Sequence, residues 1–178
     1  VLQLEYKSEI DILEETYLEI INLKTATLFA AASQVGACIA DKSKKEKNAL
    51  ESYGKNLGIA FQIADDALDY YSSIATFGKK IGKDFFEGKV TLPTIYVYQK
   101  ASSGERNFLE RIFTKKNRSQ DEFNEIQKLI KKYDSISSCF KHAEHFVNIS
   151  YNALSIFNPS KEKTILQNLT SFSLERSF

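Results

Sequence analysis

Three carboxylates stand in an otherwise apolar and aromatic stretch, FQIADDALDYY, at positions 61–71. In a helix, which turns about 100° per residue, Asp65, Asp66 and Asp69 share with Gln62 an arc of roughly 100°. Carboxylates this close raise each other's pKa unless a cation compensates their charge. Mg²⁺ takes one or two protein carboxylates and completes its octahedron with water and substrate phosphate. The spacing therefore predicts a magnesium site on a face that lines a cleft, and the alternative is a solvated acidic face.

A second group of charged residues lies in the segment GKKIGKDFFEGK, at positions 78–89. Its three glycines allow the turns that would curl the segment. Lysine is a compact point charge that suits phosphate oxygens, so the segment predicts a phosphate-binding loop. The alternative is an ordinary charged surface loop. The lysines are Lys79, Lys80, Lys83 and Lys89, and the acids are Asp84 and Glu87.

A lysine and a hydroxyl, Lys24 and Thr25, form the third candidate element, at the start of a run of small residues. Alone, a Lys-Thr pair is weak evidence. Together, the three elements supply metal-binding carboxylates, phosphate-binding lysines and a hydroxyl. A helical scaffold that encloses an apolar tail would suit this combination.

The elements that must position these residues are helices. Only 2 Pro and 7 Gly in 178 residues favour long helices, and apolar residues recur at helical spacing over most of the chain. Small side chains in Lys24–Ala40 predict a buried helix that packs closely on its neighbours, and the next helix is predicted from about Lys45 to about Tyr71. An earlier helix, from Ile10, has an apolar stripe of Ile10, Leu13, Tyr17, Ile20 and Ile21.

Beyond the acidic helix, positions 72–93 predict a structured loop, since they contain three glycines and Pro93. The apolar segment 94–101 predicts a helix rather than a strand, because proline is tolerated in a first helical turn. Further amphipathic helices are predicted at Ser119–Lys132, Ser135–Phe157 and Ser160–Ser173. The architecture is an all-α bundle, with residues 1–178 in one domain.

Composition excludes several classes of protein. The net charge of +1 gives no general basic field of the kind that nucleic-acid binders use. Cys38 and Cys139 form no disulfide framework or CxxC pair, and no stretch is apolar enough to span a bilayer, which together favour a cytoplasmic protein.

His142 and His145 lie one helical turn apart, but two ligands do not make a zinc site, so we interpret them as a polar face.

The motifs KTATLF, FQIADDALDY and GKKIGKDFFEGKVTLP, in this order and at these intervals, resemble the C-terminal portion of the trans-type polyprenyl diphosphate synthases. The resemblance implies the all-α isoprenoid synthase bundle, which is usually homodimeric. It also implies the reaction of that family. An allylic diphosphate ionises with the help of Mg²⁺, isopentenyl diphosphate attacks the carbocation through its double bond, and loss of a proton leaves a chain five carbons longer.

The resemblance further implies roles for individual residues. Asp65 corresponds to the direct Mg²⁺ ligand of the family's second aspartate-rich motif. Asp66 and Asp69 complete that motif, partly through water. Thr25 and Gln62 correspond to groups that line the reacting centre.

The remaining roles belong to charged residues that would bind diphosphate or surround the metal. Lys24 corresponds to a diphosphate-binding lysine and Lys89 to the final lysine of the family's loop. Lys79 corresponds to its glycine-lysine motif, a role that Lys80 could also take. Asp84 corresponds to an outer-shell acid of the metal site.

One feature of the family has no counterpart in this sequence. The family's earlier aspartate-rich motif, which binds further Mg²⁺ ions and is followed by arginines, does not precede VLQL at positions 1–4. We therefore expect the chain to be the C-terminal part of a longer enzyme, with an incomplete bundle and no activity by itself. The alternatives are a non-catalytic partner subunit of a heteromeric synthase and a terpene cyclase, although a cyclase usually has Asn, Ser or Thr with Glu where this chain has DDALD.

Overall fold

The structure, a computed structural model, describes residues 9–71 and 81–175. These residues form helices and turns with no β-strand among them, which confirms the predicted all-α class. A π-helical turn, Asn22–Ala26, joins the first two helices, and a 3₁₀ turn, Leu154–Ile156, follows the eighth. The α-helices are α1 (Glu14–Ile21), α2 (Thr27–Ile39), α3 (Lys44–Tyr71), α4 (Lys83–Glu87), α5 (Leu92–Lys100), α6 (Ser103–Phe113), α7 (Gln120–Lys132), α8 (Ser135–Ala153) and α9 (Lys161–Glu175).

Most predicted helices are present with small differences at their ends. The acidic helix α3 begins at Lys44 and ends at Tyr71, as the periodicity predicts. Pro93 lies in the first turn of α5, which confirms a helix rather than a strand for that segment. No described helix has the combination of length and apolar character that a membrane span needs.

Two of the helices were not predicted from the sequence. The short helix α4 lies within the segment predicted as a loop, and α6 was not predicted at all. The start of α6 carries a recognisable signal, because Ser102 and Glu105 form a capping box. The Ser102 backbone N–H and hydroxyl both donate to the Glu105 carboxylate, at 2.9 and 2.6 Å.

The described residues divide into two compact units, of which the first comprises residues 9–20, 65–71 and 81–139. Its core contains the buried apolar side chains of α5, α6 and α7, among them Ile95, Leu109 and Ile126. Phe85 of α4 joins this core and meets the rings of Phe113 and Phe123, with centroids 5.9 and 5.5 Å apart. The aromatic side chain of α4 thus anchors the segment that carries Asp84 and Lys89.

The second unit comprises residues 21–64 and 140–175. Helices α2 and α3 approach closely here, since a Cβ on Gly54 would lie 2.3 Å from the backbone oxygen of Phe29 and one on Gly58 would lie 2.7 Å from Cα of Ala26. Side-chain hydrogen bonds add to this packing. The Tyr53 hydroxyl donates to the Leu166 backbone oxygen at 2.9 Å, and the Ser150 hydroxyl donates to the Tyr53 backbone oxygen at 2.8 Å.

The prediction of a buried helix at Lys24–Ala40 is wrong in part. Small residues do provide a contact face, on which Ala26, Ala30 and Ala37 are buried. However, Leu28 is 72% exposed and Ile39 is 82% exposed. Small residues indicated close packing correctly, but they could not show that it involves one face only.

The apolar stripe predicted from Ile10 needs a similar correction at Leu13. The helix begins only at Glu14, so the residues before it do not follow helical spacing. Leu13 is 65% exposed, while Ile10 and Tyr17 are both 2% exposed. The predicted helix Ser135–Phe157 likewise ends earlier, because its last turn is the 3₁₀ segment.

Candidate functional site

Asp66, in the first unit, is buried rather than open to a cleft. It is 4% exposed, and its Oδ2 atom accepts a hydrogen bond of 2.8 Å from the hydroxyl of Tyr17. Burial and the nearby Asp66 carboxylate raise the pKa of Tyr17 well above its usual range. Tyr17 is therefore protonated at neutral pH and acts as the donor. By its spacing Tyr17 lies on an apolar stripe, and this pattern carries no signal for the polar role of its hydroxyl.

Asp69 binds the start of helix α4 through both carboxylate oxygens. Its Oδ2 accepts the backbone N–H of Asp84 at 2.8 Å, and its Oδ1 accepts that of Lys83 at 3.2 Å. The backbone oxygen of Asp69 also accepts the N–H of Gly82 at 2.8 Å. Gly82 has φ +80°, a conformation that favours glycine. The predicted turning role of the glycines is thus confirmed at this position.

Lys89 and Asp84, which the sequence analysis assigned to different roles, form an ion pair with Nζ and Oδ1 3.0 Å apart. A second carboxylate, that of Glu87, lies 2.7 Å from the same Nζ. Partial burial by itself lowers the pKa of Lys89, but the hydrogen bonds to Glu87 and Asp84 outweigh it, and the pKa is raised. Lys89 therefore stays charged over the whole physiological range.

Thr25 and Gln62, in the second unit, contact each other directly. The Thr25 hydroxyl donates to Oε1 of Gln62 at 2.9 Å. Gln62 is 7% exposed. Thr25 and the exposed Lys24 both lie in the π-helical turn Asn22–Ala26, and π-helical turns are frequent at functional sites. The structure thus brings together two of the residues that the resemblance selected.

An apolar cavity of about 580 Å³ also lies in the second unit. Phe29, which lines it, follows Thr25 by one helical turn and packs on Phe61, with ring centroids 5.8 Å apart. The remaining lining residues are Leu28, Ala32, Ser33, Leu50, Tyr53 and Leu166.

Asp65 precedes Asp66 on α3, and its side chain is half-buried. Within the described ranges, no three His, Cys, Asp or Glu side chains gather in an arrangement that would hold a metal ion. His142 stacks on the ring of Phe146, with centroids 5.2 Å apart. Lys79 and Lys80, the predicted loop lysines, lie outside the described residues.

Comparison with known proteins identifies the family. The sequence profile of the Polyprenyl synthetase family matches residues 1–130. The all-trans-nonaprenyl-diphosphate synthase (geranyl-diphosphate specific) of Rhodobacter capsulatus is 35% identical over 176 residues, which are 99% of this chain and 53% of that protein. The octaprenyl diphosphate synthase of Escherichia coli K12 is 45% identical over 96 residues, which are 54% of this chain and 30% of that protein. The chain belongs to the polyprenyl synthetase family.

Solved structures agree with this assignment. The decaprenyl diphosphate synthase of Rhodobacter capsulatus matches with a TM-score of 0.92 and 33% identity, over 99% of this chain and 55% of that one. A polyprenyl synthase of Caulobacter crescentus CB15, complexed with calcium and isoprenyl diphosphate, matches with a TM-score of 0.93 and 36% identity, over 99% and 54%. The predicted isoprenoid synthase fold is confirmed. The chain spans about half the length of these relatives.

Proposed function

We propose that this protein is a prenyltransferase that condenses isopentenyl diphosphate with an allylic diphosphate and makes a polyprenyl diphosphate. The observation that carries the proposal is the acidic end of α3. Asp65 is followed there by Asp66, which accepts a hydrogen bond from Tyr17, and by Asp69, which accepts one from the backbone of Asp84. Family membership and the names of the relatives support it further.

The carboxylates of α3 fit Mg²⁺ by their chemistry, because hard oxygen ligands suit this ion and it needs only one or two of them from the protein. A cluster of three ligands among the described side chains is thus not required. Asp65 would hold the ion directly, Asp66 and Asp69 partly through water, and Asp84 from the outer shell. When bound, Mg²⁺ stabilises the negative charge that grows on the departing diphosphate.

The resemblance assigns diphosphate binding to lysines. Lys24 is exposed and would donate charge-assisted hydrogen bonds to phosphate oxygens. An ammonium group carries three N–H donors. The ammonium of Lys89 contacts two carboxylates, those of Asp84 and Glu87, which leaves one donor for a phosphate oxygen. Lys79 is assigned the same role by the resemblance.

Positive charge develops on the allylic carbon as the diphosphate leaves. Thr25 and Gln62 present fixed oxygen dipoles, held by their mutual hydrogen bond, and such dipoles stabilise developing charge without reorganisation. The apolar cavity beside Phe29 would receive part of the prenyl chain. Replacing Ala32 by Phe should then shorten the product.

We also propose that the protein is a homodimer in the cytoplasm. The free thiols of Cys38 and Cys139 suit a reducing compartment. Light scattering coupled to size-exclusion chromatography would give the mass of the assembly, and a monomeric mass at micromolar concentration would contradict the dimer.

The test of the main proposal uses the purified full-length gene product, because the chain by itself is expected to be inactive, with radiolabelled isopentenyl diphosphate, and geranyl or farnesyl diphosphate as primer. Mg²⁺-dependent labelled polyprenyl products are expected, and chelation should abolish them. Release of diphosphate from the primer without consumption of isopentenyl diphosphate would instead indicate a cyclase. No turnover by the protein alone, with turnover after a second subunit is added, would indicate the non-catalytic partner.

A further inference from the structure

The hydrogen bond between Tyr17 and Asp66 joins residues that are 49 positions apart, with the donor on α1 and the acceptor on α3. Both side chains are almost completely buried, at 2% and 4% exposure. The bond is therefore a tertiary contact that fixes the rotamer of one carboxylate in the predicted metal-binding motif. The backbone around Asp66 is equally enclosed, since Ile63, Ala64 and Ala67 are each 0% exposed.

Two of the other tyrosine–carboxylate pairs in the described part of the chain provide a comparison. Tyr133 donates to Glu105 at 2.7 Å, and Tyr98 donates to Glu110 at 2.6 Å. Both of these carboxylates belong to surface networks that water can reach. Asp66 is different because a buried carboxylate depends on protein donors for its solvation. A core with no functional demand at this position would be served equally well by two apolar residues.

We propose that Tyr17 is a positioning residue that orients the Asp66 carboxylate for the metal-binding end of α3. The inference rests on the proposed function, because it assumes that this motif binds Mg²⁺. Residues that orient metal-binding groups typically contribute roughly 10- to 100-fold to metal affinity or activity. Loss of the Tyr17 hydroxyl should therefore weaken metal binding although Tyr17 touches neither metal nor substrate.

The experiment replaces Tyr17 and measures metal binding directly. Mn²⁺ is titrated into the protein in the presence of inorganic diphosphate and followed by electron paramagnetic resonance, with Mg²⁺ as competitor. Tyr17→Phe should raise the Kd for the metal by roughly 10-fold or more, and the Mg²⁺ concentration for half-maximal turnover should rise in parallel. Tyr133→Phe, which removes a phenol–carboxylate bond of similar length in the same unit, should leave both values unchanged.

Two further variants separate positioning from packing. 4-Aminophenylalanine at position 17 keeps an N–H donor on a ring of the same shape and should restore metal binding. If Tyr17→Phe does not fold, 4-methylphenylalanine fills the space of the hydroxyl without a donor and should reproduce the loss. A double-mutant cycle with Asp66→Asn should be non-additive, because Tyr17 would act only through Asp66.

The outcomes distinguish this inference from the proposed function. Unchanged metal affinity in a folded Tyr17→Phe protein, or additive effects with Asp66→Asn, would overturn the positioning role and leave a structural hydroxyl. If the full-length wild-type protein makes no polyprenyl product, the proposed function itself fails.

Discussion

Asp69 binds the backbone of Asp84, with its Oδ2 atom 2.8 Å from the amide nitrogen. The second oxygen of the same carboxylate accepts from the Lys83 amide at 3.2 Å. Asp69 thus satisfies two of the four N–H groups that a helix leaves without partners at its start. This carboxylate, which belongs to the predicted metal motif, also holds the segment that carries Asp84 and Lys89.

The first prediction follows from this bond. Asp69→Ala should destabilise the protein by about 0.5–2 kcal/mol, the usual cost of removing a helix-capping side chain, whereas Asp69→Asn keeps an acceptor oxygen and should cost less. Urea unfolding measures the stability, and hydrogen exchange at the amides of Lys83 and Asp84 locates the effect. Slow exchange at both amides in the alanine variant would show that the cap is not needed.

The second prediction separates Asp65 from Asp66. In the full-length protein, Asp65→Asn should reduce turnover by more than about 100-fold, since residues that merely orient metal ligands already contribute 10- to 100-fold. It should leave the melting temperature nearly unchanged. Asp66→Asn should reduce turnover and stability together, because Asp66 is buried against Tyr17. Wild-type turnover by Asp65→Asn at ordinary Mg²⁺ would remove Asp65 from the metal site.

The third prediction concerns the lysines. Lys24→Ala and Lys89→Ala should each lower kcat/KM by roughly 10- to 150-fold, the equivalent of about 1.5–3 kcal/mol for a hydrogen bond to a charged group. Only Lys89→Ala should also lower the melting temperature, because Lys89 pairs with Asp84 and Glu87. Unchanged kinetics and diphosphate affinity in both variants would make these lysines surface charges. Lys55→Ala, a change on α3 outside the candidate residues, is the control.

The structure shows how far the sequence could predict this molecule. The all-α class and the limits of α3 followed from helical spacing, because the apolar residues of an amphipathic helix recur at regular intervals in the sequence. The partners of the carboxylates did not follow. Tyr17 lies on an apolar stripe by spacing, and its hydroxyl meets Asp66 only through tertiary packing. The short helix α4 escaped prediction for a related reason, since its start is capped from a distance by Asp69.

Burial of α2 was mispredicted for a different physical reason. Small residues indicate that a neighbouring helix can approach, and Gly54 and Gly58 of α3 do approach Phe29 and Ala26. The pattern cannot specify what, if anything, covers the opposite face, where Leu28 is 72% exposed.

The fourth prediction tests this close approach. Gly54→Ala should destabilise the protein by about 1–3 kcal/mol, the usual cost of overpacking, because the new Cβ would meet the Phe29 backbone oxygen. Gly36 is the matched control, since it also lies in a helix but a Cβ there meets nothing within 4 Å. Gly36→Ala should therefore stabilise the protein by about 0.5–1 kcal/mol. Equal effects in thermal unfolding would contradict the contact between α2 and α3.

The last prediction concerns the pH dependence of stability at Glu105. Its carboxylate accepts from Lys132, at 2.7 Å, and from Ser102 and Tyr133. The hydrogen bond from Lys132, followed by those from Ser102 and Tyr133, holds the pKa of Glu105 well below its usual range. A carboxylate whose pKa is lower in the folded state binds its proton less readily there than in the unfolded chain. Its contribution to stability is therefore complete above the ordinary glutamate pKa and declines as the pH falls below it.

Glu105→Gln should accordingly lower the melting temperature at pH 7, and the difference from wild type should shrink steadily below about pH 4.3, the pKa of an unperturbed glutamate. Thermal unfolding of both proteins from pH 7 to pH 2 measures this difference. Glu125→Gln is a suitable control, because Glu125 pairs with Lys128 on the exposed surface of α7, and exposed pairs contribute little. A difference between wild type and Glu105→Gln that stays constant over this pH range would mean that the charge of Glu105 does not stabilise the fold.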